Sequence, residues 1–159
     1  MAMDKNIFII AETDRGLTTQ ETYELVSFAK GISSKVIPAI IVLGTHPEEP
    51  AGELAEKTGC TAIAVKGDHL ELYNAQAYRD AIMEIIPADI PSWICLAHTS
   101  TGYDLAPHIA VKLNAALITG VESVQEGTSF RRSVCSGKFM TDIIPKTPST
   151  VWGGHSARA

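Results

Sequence analysis

The chain has 159 residues, of which 45% are hydrophobic, enough for one ordinary domain with its own core. Its 13 Lys and Arg against 18 Asp and Glu give a formal net charge of −5, and no basic cluster exceeds the pair Arg131 and Arg132. These values argue against a nucleic-acid groove or a surface for anionic membranes. The sequence has no apolar run near the ~18 residues of a membrane span and no secretory signal pattern, so we expect a soluble, cytoplasmic protein.

The three cysteines are Cys60, Cys95 and Cys135, which lie far apart and form neither a CxxC pair nor a ligand cluster. An odd number of scattered cysteines is typical of unpaired thiols in a reducing compartment. We therefore expect free thiols rather than a disulfide framework or a zinc site.

The predicted elements begin with a strand and a helix. Residues 6–11 (NIFIIA) form a continuous apolar run with β-branched side chains, which is typical of a strand buried on both faces of a parallel sheet. A pattern similar to a capping box at residues 18–21, followed by apolar residues at helical spacing, predicts the first helix. Residues 36–43 predict the second strand, and residues 51–57 predict a short second helix.

The same alternation continues toward the middle of the chain. Further strands are predicted at residues 61–65, 92–97 and 116–119. Between the first two of these, Asn74 is suited to cap a helix that Pro87 ends. Between the last two, an amphipathic segment predicts a fourth helix.

Strands and helices of this length indicate right-handed crossovers and a sheet covered on both faces. We predict an α/β fold with three layers and a mostly parallel, doubly wound sheet in the strand order 3-2-1-4-5. Residues 130–135 and 138–143 predict an antiparallel hairpin, and residues 150–152 predict an edge strand. We expect one α/β domain over residues 5–152, and a tail or the start of a linker over residues 153–159.

In an open doubly wound sheet, ligands bind at the carboxyl ends of the strands where the winding reverses, here between the first and fourth strands. Glu12 follows the first strand, and Thr99, Ser100, Thr101 and Gly102 follow the fourth. Hydroxyls and a glycine just before a helix favour an anion, because the helix start offers free N–H groups and a positive dipole end. The alternative, which stays open here, is that these hydroxyls only satisfy their own backbone.

Pro107 bears on where the following helix starts. Proline has no N–H group, so it fits only the first turn of a helix without the loss of a ladder bond. This makes Asp104 a better predicted N-cap than Thr101 and leaves the hydroxyl loop free to wrap a ligand. The candidate crevice residues are therefore Glu12, Thr99, Ser100, Thr101, Gly102 and Asp104.

The first loop of this crevice argues against a bound phosphate. Glu12 and Asp14 place two negative charges beside the site, and Arg15 alone offsets them. The sequence has no GxGxxG after the first strand and no GxxxxGK[ST]. The standard dinucleotide and P-loop interpretations therefore fail at the residue level.

Candidates for catalysis or metal binding are weak. Cys95 and His98 lie three residues apart in or just past one strand, so we expect them to point to opposite faces. His98 and His108 would both lie near the hydroxyl loop, but no third ligand stands at a defined spacing. We therefore predict no catalytic residue and no metal site.

Three stretches carry a family pattern. Residues 7–13 (IFIIAET) form an opening strand that ends in Ala-Glu. Residues 99–121 contain the pattern Thr-x-x-Gly-x-x-Leu-x-Pro with an apolar helix after it, and residues 130–138 contain an Arg-containing hairpin. Together they resemble the amino-terminal domain of the electron transfer flavoprotein alpha subunit, which has an adenine nucleotide alpha hydrolase-like fold. The hairpin carries Arg132 where that family usually has Pro, which indicates a divergent branch.

The resemblance implies one subunit of a heterodimer that takes electrons from flavin dehydrogenases and passes them on, through FAD, to downstream acceptors. In that family the FAD is held mainly by a carboxyl-terminal alpha domain, so the resemblance implies that this chain alone does not bind it. The beta subunit uses its equivalent crevice for AMP, whereas the alpha domain generally leaves its own unused. We therefore expect a scaffold that docks the beta subunit and carries a vestigial crevice at Glu12 and the hydroxyl loop.

Two other functions compete with this one. A stand-alone adenine-nucleotide-binding module of the universal-stress class would place residues 99–102 around a phosphate, but such modules usually carry a glycine-rich phosphate loop and this stretch has one glycine. A small hydrolase needs a nucleophile, a base and an orienting group at a sensible spacing, which the sequence does not offer. The docking domain is our preferred interpretation, and it predicts a colourless protein.

Overall fold

The computed structural model describes residues 6–32, 35–87, 89–90, 92–125 and 129–154. The helices are α1 (Gln20–Ile32), α2 (Glu48–Thr58), α3 (Ala75–Ile85) and α4 (Ser100–Leu113), with a 3-10 turn at Asp68–Leu70. The strands are β1 (Asn6–Ile10), β2 (Thr13–Asp14), β3 (Leu17–Thr18), β4 (Ala39–Gly44), β5 (Thr61–Lys66), β6 (Ser92–Ala97), β7 (Ala116–Val121), β8 (Ser123–Gln125), β9 (Ser129–Val134), β10 (Phe139–Ile143) and β11 (Thr150–Gly154).

Six parallel strands form the central sheet in the order β5-β4-β1-β6-β11-β7. The α/β class and the doubly wound sheet are confirmed. In these labels the predicted order was β5-β4-β1-β6-β7, which holds except that β11 separates β6 from β7. The chain therefore reverses its winding direction at β1, as expected.

The prediction of an edge strand near the C-terminus is wrong. β11 pairs in parallel with β6 on one side and with β7 on the other. Val151 and Trp152 are fully buried on opposite faces of the sheet, and a strand that is apolar on both faces belongs in the interior of a parallel sheet. Gly153 and Gly154, which the sequence placed in a tail, belong to this strand, and residues 155–159 lie outside the described residues.

Helices cover both faces of the sheet and bury its two apolar surfaces. Leu25 of α1 and Leu54 of α2 pack in one cluster, and Ile82 of α3 and Ile109 of α4 pack in the other. Alternate residues of β1 enter the two clusters because successive strand side chains point to opposite faces. Each large aliphatic side chain buried in this way contributes about 1.5 to 3 kcal/mol relative to its exposed state.

A small antiparallel sheet in the order β10-β9-β8 packs against one face of the central sheet. The predicted hairpin is present as β9 and β10, joined through residues 135–138, of which the first three have positive φ. Phe130 of β9 is fully buried, and its ring centroid lies 5.2 Å from that of Trp93 and 6.0 Å from that of Trp152. These aromatic contacts fix the small sheet against the α1 face of the central sheet.

Candidate functional site

The candidate site lies where the carboxyl ends of β1 and β6 meet. β1 pairs with β4 on one side and with β6 on the other, so the crossovers leave it in opposite directions. This arrangement leaves a crevice above the two strand ends. Glu12 follows β1 and Thr99 follows β6, so the structure brings together the two loops that the sequence selected.

The first loop is a tight hairpin rather than an open loop. β2 and β3 pair around Arg15 and Gly16, whose φ angles of 51° and 80° are both positive. Two central residues with positive φ match the hairpin turn whose twist fits a two-stranded ribbon. This turn holds Thr13 and Asp14 at the rim of the crevice. The sequence signal for this turn was the pair Arg15 and Gly16, because glycine readily adopts a positive φ.

Thr22 of α1 fixes the backbone of Glu12. The Thr22 hydroxyl is buried, accepts from the Glu12 N–H at 2.9 Å and donates to the Glu12 carbonyl at 3.3 Å. Both polar groups of the Glu12 backbone are thereby satisfied by one side chain. The position of the Glu12 carboxyl group is therefore set by α1 as well as by β1.

The Glu12 carboxyl group also connects β1 to α4. The Thr99 hydroxyl donates to Glu12 Oε1 across 2.5 Å. Burial raises the pKa of Glu12, the Thr99 hydrogen bond opposes that change, and the negative charge of Glu21 adds to it. Glu12 is therefore a half-buried acid whose negative charge is costly in its present surroundings.

The predicted N-cap of α4 is wrong. Thr99, not Asp104, caps the helix, because the Thr99 side chain accepts from the Gly102 N–H at 3.1 Å and the Thr99 carbonyl accepts from the Tyr103 N–H at 2.9 Å. Pro107 consequently lies inside the helix rather than in its first turn. The Glu12 bond, which no local pattern could show, holds Thr99 in its capping position.

The hydroxyl segment therefore forms the N-cap and first turn of α4 rather than a free loop before the helix. Thr101 and Gly102 line the crevice, whereas Ser100 is exposed. A Cβ atom on Gly102 would lie 2.0 Å from the carbonyl oxygen of Ala97. The glycine is thus required for close packing of α4 on the end of β6.

The crevice encloses about 220 Å³. It is lined by Ile10, Ala11, Glu12, Thr13, Asp14, Thr19, Leu43, Tyr73, Tyr78, Leu96, Thr101, Gly102 and Leu105. Its floor is apolar, and its rim carries carboxylates. Of the predicted residues, Glu12, Thr101 and Gly102 line the crevice. Thr99 does not line it but donates a hydrogen bond to the Glu12 carboxyl group. Asp104 does not line it either, but it accepts a hydrogen bond from the lining residue Tyr73.

Two tyrosines that were not among the predicted site residues complete the crevice. The Tyr73 hydroxyl donates to Asp104 Oδ2 at 2.7 Å, and the Tyr78 hydroxyl donates to the Leu70 carbonyl at 3.1 Å. The two rings contact edge to face with centroids 5.1 Å apart. Burial raises the pKa of Tyr73, with contributions from Asp104 and Glu12, so its hydroxyl stays protonated as a donor. Tyr73 immediately precedes the capping residue Asn74, and Tyr78 lies four residues after it in α3, but no sequence pattern placed either ring at the crevice.

The crevice does not fit a phosphate or a flavin dinucleotide. Among the described residues that line it, Glu12 and Asp14 are charged and none is Lys or Arg. A pyrophosphate would therefore meet repulsion at the rim. The volume of about 220 Å³ is also below the ~300 Å³ at which ordinary small-molecule sites begin.

The other candidate residues do not assemble into a site. Cys95 is fully buried in the core under α1, where burial raises the pKa of its thiol. His98 contacts the ring of Tyr103 on α4, with centroids 4.7 Å apart and the Tyr103 hydroxyl 3.1 Å from His98 Nε2. In the part of the chain that the structure describes, no group of three or more His, Cys, Asp or Glu side chains could hold a metal ion. Likewise, none of the described helices has the length and apolar character needed to cross a membrane.

Comparison with known proteins matches nearly all of the described fold to one family model. The family model described as the electron transfer flavoprotein domain matches residues 7–151. The chain is 24% identical over 149 residues to the electron transfer flavoprotein subunit alpha of Bacillus subtilis, which covers 92% of this chain and 46% of that protein. It is 29% identical over 139 residues to the subunit of the same name from Syntrophomonas wolfei, which covers 86% of this chain and 43% of that protein.

A further relative carries a different name. The chain is 25% identical over 118 residues to the protein FixB of Bradyrhizobium diazoefficiens, which covers 71% of this chain and 32% of that protein. In all three comparisons this chain spans about half the length of the curated relative or less. The similarity therefore concerns one part of each relative.

Proposed function

Because the chain belongs to the electron transfer flavoprotein domain family, we propose that it acts as the amino-terminal domain of an electron transfer flavoprotein alpha subunit. In this function it is a scaffold that docks the beta subunit in a cytoplasmic heterodimer. The complete heterodimer holds FAD, which accepts electrons from flavin dehydrogenases and delivers them to downstream acceptors. The domain itself supplies no catalytic residue to this transfer.

The match over residues 7–151, together with the character of the crevice, carries this proposal. A domain that retains a doubly wound sheet but places Glu12 and Asp14 at its switch point is poorly suited to hold a nucleotide. A scaffold needs the sheet and not the phosphate site. The residues selected from the sequence, Glu12, Thr99 and Gly102 among them, then serve mainly to join β1, β6 and α4.

The edge strand β10 offers a surface for docking. Phe139 is 63% exposed and Met140 is 52% exposed, and β10 has a partner strand on one side only in the small sheet. The charge of Asp142 on this strand is paired with Arg131 of β9 at 2.8 Å. An exposed apolar edge strand is a ready site for another protein.

The first test is the visible absorption spectrum of the purified chain, with chromatography of any small molecule released on denaturation. A colourless, nucleotide-free protein supports the docking domain. Released AMP or ATP would support the adenine-nucleotide-binding module instead, and bound flavin would contradict the proposal that the chain alone does not hold FAD.

The second test is association with the beta subunit encoded in the same genome. We expect the two chains to co-elute in size-exclusion chromatography. The double variant Phe139→Ser, Met140→Ser should weaken this association, whereas Val111→Ser on the exposed side of α4 is the matched control. Failure of the wild-type chains to associate would overturn the docking role.

A further inference from the structure

The crevice combines three features that suit one class of ligand. Its floor is apolar, through side chains such as Leu43, Leu96 and Leu105. One wall carries the paired rings of Tyr73 and Tyr78. The rim carries the carboxylates of Glu12 and Asp14, both in the segment that follows β1. An alkyl stem fits the apolar floor, and a cationic head group fits the tyrosine rings and the carboxylates.

The charged side chains that line the crevice are both acidic, and Arg15 lies next to them in the hairpin turn without lining it. Glu12 and Asp14 lie on the rim, and Asp104 is held toward it by the Tyr73 hydroxyl. The negative charges of Asp104 and Glu12 both act on Tyr73, so the carboxyl groups share one electrostatic environment. A cation in the crevice would offset the cost of the half-buried Glu12 carboxylate.

Two polar groups of the crevice, the Glu12 carboxylate and the Tyr73 hydroxyl, have acceptor capacity left. Thr99 donates to Oε1 of Glu12, and a carboxylate keeps further acceptor positions beyond that bond. The Tyr73 hydroxyl already donates to Asp104, so its oxygen can accept another hydrogen bond. A donor-rich ligand is therefore better matched than an anion or a carbonyl compound.

We propose that the crevice binds an alkylguanidinium group, with its planar head between the Glu12 and Asp14 carboxylates and the tyrosine rings and with its alkyl stem on the apolar floor. Guanidinium is preferred over ammonium because it is planar, stacks on aromatic rings and donates two parallel hydrogen bonds to a carboxylate. The volume of about 220 Å³ admits such a group and disfavours a nucleotide. This site does not depend on the proposed function. The group can belong to a free small molecule or to an arginine side chain of a partner.

The test is titration of the 15N-labelled chain with n-butylguanidinium chloride at low ionic strength, followed by 1H–15N correlation spectra. We expect saturable shifts centred on the amides of Glu12, Asp14 and Gly102. The neutral isostere n-butylurea should produce none of them. Absence of saturable shifts with the guanidinium probe, or equal binding of the urea, would overturn the proposal.

Variants separate the crevice from general surface charge. Glu12→Gln keeps an acceptor for Thr99 but removes the charge, and we expect binding to weaken about tenfold or more. Asp14→Asn, at an exposed rim position that does not contact Thr99, should weaken it as well. Glu56→Gln, on the exposed face of α2 outside the crevice, should leave it unchanged. Binding that survives both rim variants at wild-type strength would overturn the site.

The source of the group is decided by competition. If it is an arginine side chain of the beta subunit, addition of that subunit should displace n-butylguanidinium from the crevice. If it is a free small molecule, the subunit and the probe should bind together. Displacement assigns the group to the subunit, whereas joint binding excludes the subunit as its source.

Discussion

The backbone of Gly102 lies so close to the carbonyl oxygen of Ala97 that a Cβ atom on Gly102 would come within 2.0 Å of it. This contact sets how closely α4 approaches the end of β6. It also keeps the Gly102 N–H within reach of the Thr99 hydroxyl, which in turn contacts Glu12. The packing of α4 on β6 thus sets the side of the crevice that Thr101, Gly102 and Leu105 line.

The substitution Gly102→Ala should therefore destabilise the protein. The contacted atom belongs to the backbone and cannot rotate away, so α4 must shift. We expect a loss of about 1 to 3 kcal/mol in the free energy of unfolding. Urea denaturation followed by circular dichroism measures it.

Gly52 of α2 is the matched control for this variant. No heavy atom lies within 4 Å of a Cβ built there, and the position is helical and exposed. Gly52→Ala should stabilise the protein by about 0.5 to 1 kcal/mol, because alanine loses less conformational entropy in a helix. If both variants change stability in the same direction, the close approach at Gly102 does not have the assigned role.

Pro107→Ala should stabilise α4. Pro107 is exposed inside the helix and cannot donate to the carbonyl four residues earlier. Alanine restores that hydrogen bond, while the unfolded chain gains some freedom that partly offsets it. We expect a net gain of about 1 to 2 kcal/mol in the free energy of unfolding. His108→Ala, the exposed neighbour, should stay within about 0.5 kcal/mol of wild type, and a less stable Pro107→Ala would contradict the assignment.

Glu12→Gln should change how stability depends on pH. Burial raises the pKa of Glu12 in the folded state, so folding favours the protonated acid. The stabilisation from Glu12 is complete below the ordinary glutamate pKa of about 4.3 and is lost as pH rises through the raised value. Relative to wild type, Glu12→Gln should therefore gain stability from about pH 4 toward neutrality. Urea denaturation of both proteins across this range tests it, and a difference that is constant or of opposite slope would count against the raised pKa.

The three thiols should react very differently with iodoacetamide. Cys60 and Cys95 are buried, and burial raises the pKa of Cys95, whereas Cys135 is exposed in the β9–β10 turn. Because the thiolate is the reactive form, mass spectrometry of the native protein should show one modification, at Cys135. Unfolding in urea before labelling should give three. Rapid modification of Cys95 in the native protein would show that the core under α1 opens readily.

The sequence alone determined the elements that depend on nearby residues. The apolar runs predicted the central strands, and Asn74 caps α3 as expected, with its Oδ1 accepting from the Ala77 N–H at 3.0 Å. The switch-point crevice followed from the strand alternation, because the rule for its position depends only on where the winding reverses. Those patterns depend on residues close together in the chain, so they can be recognised without knowledge of the tertiary structure.

The tertiary structure decided what depends on distant residues. β11 entered the sheet between β6 and β7 because burial of Val151 and Trp152 needs cover from two layers. Tyr73 lies in the connection between β5 and β6, just before α3. It lines the crevice only because that connection packs there. Thr99 caps α4 through local bonds to Gly102 and Tyr103, and it also bonds to Glu12, a partner 87 residues earlier that no local pattern can register. Short-range propensity determined which segments form helices and strands. Long-range burial and hydrogen bonding determined where these elements end, how the strands pair and which side chains come together.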